Sequence, residues 1–121
     1  MDKLFKLPIQ ISDFFEIYLN LIKPFKPVSE LNKSEINLLA ILMKLSYKYI
    51  DLSIDDRFKL IMSSKNRKLI YKNINISEGT FNNSLSKFKK IGILNEENVL
   101  SNKFLIIPDK SNKVIFELNI Q

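Results

Sequence analysis

The chain contains no cysteine, no histidine and no tryptophan, and only two glycines in 121 residues. Without cysteine there is no disulfide framework and no thiolate metal site. Without histidine, the commonest general base and the commonest imidazole ligand are both missing. Two glycines are too few for a phosphate-cradling loop. No apolar run approaches the ~18 residues of a membrane-spanning helix. The first fifteen residues carry Asp2, Lys3, Lys6, Gln10 and Asp13 among their apolar positions and do not read as a secretory leader. The expectation is a cytoplasmic protein with no membrane partner, no metal and no cofactor. The adjacent carboxylate pairs, Asp55-Asp56 and Glu96-Glu97, lie in polar stretches. Sequence neighbours of this kind do not converge on one site, so an enzyme is not expected.

What is present is a hydrophobic fraction of 45%, enough for one domain with a real core. Ile, Asn and Lys supply 48 of the 121 residues. Their codons are rich in A and T, which suggests an AT-rich genome such as that of a phage, a plasmid or a low-GC bacterium. The net charge is +6 and is concentrated. Between Ser63 and Lys90 stand seven cations (Lys65, Arg67, Lys68, Lys72, Lys87, Lys89 and Lys90) and one anion, Glu78. The rest of the chain holds twelve cations and twelve anions. All of the net charge therefore falls in 28 consecutive residues, the footprint of a phosphate-binding surface.

Hydrophobic periodicity predicts helices at Ser12–Ile22, Lys33–Tyr49, Lys65–Asn73 and Glu78–Ile91. Pro24 and Pro27 break the chain after the first. This divides it into an N-terminal helix with a proline-containing linker, 1–30, and a domain over 31–121. Asn32 and Glu35 have the spacing of a capping box at the start of the second helix. Ser63 or Ser64 can cap the third, and Ser77 the fourth. Gly92 stands where a left-handed residue closes a helix. Ser53–Arg57 reads as a turn and Phe58–Met62 as a short strand. Asn98–Ile107 and Val114–Ile120 read as two strands joined at a polar tip, 108–113. The expected class is α+β, mostly helical, with a C-terminal β-hairpin.

The stretch Ser64–Leu94 carries the functional signal. Ile76-Ser77 opens a helix whose apolar positions are Phe81, Leu85, Phe88 and Ile91, and Gly92-Ile93-Leu94 closes it. With a helix before it and a hairpin after, this pattern resembles the helix-turn-helix of winged-helix proteins over roughly Leu31 to Ile120. It is most similar to plasmid and phage replication-initiator domains and to MarR-type regulators. The resemblance implies a winged helix-turn-helix fold that binds double-stranded DNA and serves transcription regulation or DNA replication.

The residues make the same case separately. With Phe81 at zero and ~100° per residue, Leu85 falls at about 40° and Phe88 at about −20°, a buried stripe. Gly79, Asn82, Asn83, Ser86, Lys87 and Lys90 fall opposite. With Ser77 and Thr80 at the helix start, they are the expected DNA-reading set, since Asn, Ser and Lys reach base edges and phosphates. Lys65, Arg67, Lys68 and Lys72 on the preceding helix are expected to hold the DNA backbone. Lys110, Asn112 and Lys113 at the hairpin tip are expected to touch a neighbouring groove or phosphate. Tyr47, Tyr49, Tyr71 and Phe58 suit core packing better than base stacking. Two uses are open for Phe14, Phe15, Tyr18 and Ile22: a homodimer face, or docking on the core of the same chain. Among other function classes, a protein-interaction or assembly module is the alternative, because fold does not fix function.

Overall fold

The structure, a computed structural model, describes residues 4–8, 11–105 and 113–117, and side chains over 14–105. Residues 11–105 form an all-helical body. Its five α-helices are α1 (Ile11–Ile22), α2 (Lys33–Lys48), α3 (Ile54–Ile61), α4 (Ser64–Ile74) and α5 (Glu78–Lys90). Two single 3-10 turns, Val28–Glu30 and Asn102–Phe104, fill connections. Outside this body, strand β1 (Leu4–Pro8) pairs antiparallel with β2 (Lys113–Glu117), Leu4 opposite Glu117 and Pro8 opposite Lys113.

The centre is α2. Asn32 accepts the Glu35 amide N–H at 2.8 Å, and the Glu35 carboxylate accepts the Asn32 amide N–H at 2.9 Å, so both halves of the capping box are formed. Ile36, Leu38, Leu39, Ala40, Leu42 and Met43 are buried, which leaves α2 little free surface. Helix α1 lies against it. Phe14 and Phe15 are 4% and 1% exposed, and the Phe15 ring is 6.1 Å from that of Tyr47. Tyr18 and Ile22 pack on the same core, and burial pushes the Tyr18 phenol above its usual pKa. Of the four residues that sequence left open as a homodimer face, Phe14 and Phe15 are therefore interior, docked on the core of the same chain, while Tyr18 and Ile22 are only partly buried against it. The core continues through Phe58, Ile61, Ile70, Phe81, Phe88, Ile93 and Phe104.

Phe58–Met62 is not a strand. Phe58 and Ile61 lie three residues apart on the inner face of α3. Ser53 accepts the Asp56 N–H as its cap, and Asp55 and Asp56 complement the helix N-terminus. The polar turn read from sequence is this cap and first turn. Arg57 ties the helix back to the end of α2, donating to Ser46 Oγ and to the Ile50 and Leu52 carbonyls at 3.0–3.2 Å.

The expected C-terminal hairpin wing is not seen among the described residues, and the winged class is corrected accordingly; the mostly helical character stands. After α5 the chain makes one isolated bridge, Leu94 with Leu100. The Asn95 side-chain oxygen accepts the Glu97 and Val99 N–H groups inside this turn, and Asn98 takes a left-handed φ of 62°. A strand through Leu100 would then carry Asn102 to the same face as Phe104. The 3-10 turn instead buries Phe104 and leaves Asn102 and Lys103 exposed. The second expected strand is present as β2, but its partner is β1 at the other end of the chain. Lys110 and Asn112 of the expected wing lie outside the described residues. Lys113 begins β2, and its side chain lies outside them too.

Candidate nucleic-acid interface

Helices α4 and α5 are joined by three residues with a specific geometry. Asn75 is left-handed (φ 55°, ψ 54°), a conformation asparagine tolerates better than most residues. The N–H groups of Asn75 and Ile76 both return to the Tyr71 carbonyl, which ends α4 abruptly. Ser77 then caps α5: its Oγ accepts the Thr80 N–H at 3.1 Å, and its hydroxyl donates to Thr80 Oγ1 at 3.0 Å. At the far end Gly92 has a φ of 85°, Gly92 N–H reaches the Lys89 carbonyl and Ile93 N–H the Phe88 carbonyl, a Schellman closure.

The inner face of α5 is the one read from periodicity. Phe81, Leu85 and Phe88 are buried, and the Tyr71 ring meets Phe81 edge-on with centroids 5.1 Å apart. Gly79, Asn82, Asn83, Ser86 and Lys90 are exposed on the other side. The only acid on α5 is Glu78, in its first turn. On one flank, Ser64, Arg67, Lys68 and Tyr71 of α4 line a small cleft with Glu78. On the other, Asn32, Ser34 and Glu35 at the start of α2 line a cleft with Thr80, Asn83 and Lys87. Lys65 and Lys68 are exposed on α4. A central helix face of small polar groups, with exposed lysines beside it, can exchange hydrogen bonds with a polar ligand and neutralise anionic groups at its edge.

Tertiary contacts divide the residues expected to bind. Ser77 and Thr80 are engaged with one another in the cap. Lys87 is committed to α2: its Nζ is 2.9 Å from Glu35 Oε1 and donates to the Glu30 carbonyl at 2.8 Å. Arg67 donates through Nη2 to Asn82 Oδ1 at 2.7 Å and lies over the Phe81 ring at 5.2 Å. Lys72 lines a different groove, between α2 and α4, with Ile41, Leu45, Tyr49 and Leu69. That leaves Gly79, Asn82, Asn83, Ser86 and Lys90 on the outward face of α5, with Lys65 and Lys68 beside it. Asn32 and Ser34 border this face and were not among the sequence candidates. Asn32 was legible as a cap, but nothing local shows that α2 begins beside α5.

Lys87→Met is expected to leave the salt dependence of any nucleic-acid binding unchanged while lowering folding stability by about 1 kcal/mol, because it removes an ion pair. A salt slope flattened by one contact would return Lys87 to the binding surface.

Phe58 is buried in the core, and Tyr47, Tyr49 and Tyr71 are partly buried against it. Asp55 and Asp56 are exposed on α3, while Glu96 and Glu97 are exposed in the turn after α5. No cluster of three or more potential metal ligands occurs among the described residues. No helix among them is long and apolar enough to cross a membrane. Compared with known protein families, with curated proteins and with solved structures, the chain matches none.

Proposed function

We propose that this protein binds double-stranded DNA, with α5 in the major groove and Lys65, Lys68 and Lys90 on flanking phosphates, as a sequence-reading regulator or replication initiator. The observation that carries the reading is the outward face of α5. Beyond the first turn it has no acid, and it exposes only small polar groups and one lysine along its length. The localised charge supports it, since phosphate neutralisation is the main source of affinity for duplex DNA. Duplex RNA suits this face poorly, because its deep, narrow major groove does not admit a helix.

The test is binding to a random-sequence duplex and to the single strands of the same length, across a salt series. Expected are a preference for duplex and a steep fall of affinity with salt, about 0.9 in the log–log slope for each phosphate contact. Absence of binding at low salt would sink the DNA reading and favour a protein-interaction role. That alternative draws its support from Leu69, which is 57% exposed on α4 next to Ile41, Leu45 and Tyr49.

A further inference from the structure

We infer that Arg67 sets the base preference of this surface by fixing the orientation of the Asn82 side-chain amide. The inference rests on the DNA reading above. A guanidinium offers five donors and no acceptor. The Asn82 atom it holds must therefore be the carbonyl oxygen, as it is: Arg67 Nη2 donates to Oδ1 at 2.7 Å, the length of a charge-assisted hydrogen bond. The two ends of an asparagine amide are otherwise interchangeable, and the hydrogen-bond network decides between them.

Arg67 is itself held in place. It is half-buried, its guanidinium lies 5.2 Å from the centroid of the buried Phe81 ring, and its Nε is shielded from solvent. Asn82 is exposed, so its Nδ2 hydrogens are the part left for a ligand.

A free asparagine pairs with adenine by accepting from N6 and donating to N7. Here one lone pair of Oδ1 is already taken by the guanidinium, and an adenine amino group on the other would stand beside the positive charge, which weakens that pairing. Guanine O6 and N7, or thymine O4, meet both the amide donors and the positive charge behind them favourably. Asn82 is thus set to read base acceptors. Ser86, one turn on, is set the other way. Its hydroxyl donates to the Asn82 backbone carbonyl at 3.1 Å, leaving the oxygen lone pairs outward. Arg67 is a positioning residue in this scheme, acting through Asn82.

The experiment is site selection from a randomised duplex pool, followed by competition with single-pair substitutions, for the wild type, Asn82→Ala, Arg67→Met and Arg67→Lys. The pair read by Asn82 is the one whose preference disappears in Asn82→Ala. The wild type should prefer guanine or thymine there, and a wild-type preference for adenine overturns the inference. Arg67→Met frees the amide and should move the preference toward adenine by roughly tenfold, the scale of a bidentate contact. Arg67→Lys still donates and should keep the wild-type preference. Thermal melts check that each variant folds. If Arg67→Met does not fold, Asn82→Asp replaces it: the Arg67 contact is kept but the outward group becomes an acceptor, and the preference should pass to cytosine or adenine. A preference unchanged in Arg67→Met, or in Asn82→Asp where that is used, overturns the inference while leaving DNA binding intact. So does an Asn82→Ala loss equal on all sequences. A wild type that binds no duplex is a separate result, which overturns the DNA reading and the inference with it.

Discussion

Phe81→Ala is expected to lower folding stability by about 3–5 kcal/mol, the range for deleting a buried aromatic ring. Phe81 is completely buried between α4 and α5, with the Tyr71 ring against its edge and the Arg67 guanidinium over it. Truncating the Phe81 ring removes both contacts and leaves a cavity at the junction of the two helices. In a domain of this size the thermal midpoint should fall by on the order of 10 °C or more. Urea unfolding followed by circular dichroism measures the loss directly. A change below about 1 kcal/mol would mean that Phe81 faces solvent, as it would with α5 turned about its axis, and would move Asn82, Asn83 and Ser86 off the outward face.

The second large effect concerns binding. Replacing Lys65, Lys68 and Lys90 together by alanine should flatten the log–log salt slope by about 2.7, at 0.9 for each of three phosphate contacts. At about 0.1 M salt the affinity for any duplex should fall by two to three orders of magnitude, since each lost contact removes close to one decade there. All three side chains are exposed, so unfolding should change little, within about 0.5 kcal/mol per substitution. Lys72→Ala is the internal control. Lys72 lines the groove between α2 and α4, so its removal should leave the slope where it was. A triple variant with the wild-type slope would place these lysines off the nucleic acid. A slope changed as much by Lys72→Ala would mean that the wrong flank of α4 has been assigned to the backbone.

Where the signal is local, the sequence was readable. The start of α2 is written in Asn32 and Glu35, that of α5 in Ser77, and the end of α5 in Gly92. Each of these satisfies backbone groups within a few residues of itself. The buried stripe of α5 was readable for the same reason, because a helix repeats every 3.6 residues whatever it packs against. Helix α3 was misread because only Phe58 and Ile61 in its eight residues are buried, too short a pattern to separate from a strand by period alone. The segment after α5 was misread because β-rich composition says nothing about the partner: one strand pairs with the N-terminal end of the chain, and the other gives way to a turn that buries Phe104.

The candidate surface divides along the same line. The amino-acid sequence by itself determined that the net charge lies in 28 residues, that α5 has one apolar and one polar face, and that it begins and ends at Ser77 and Gly92. Tertiary structure alone decided which polar residues remain available. Lys87 is withdrawn by Glu35, 52 positions away, and Asn82 is oriented by Arg67, 15 positions away. Charge and helical period belong to neighbouring residues and survive in the sequence. The pairing of a particular donor with a particular acceptor across two helices exists only once packing has brought them within 3 Å.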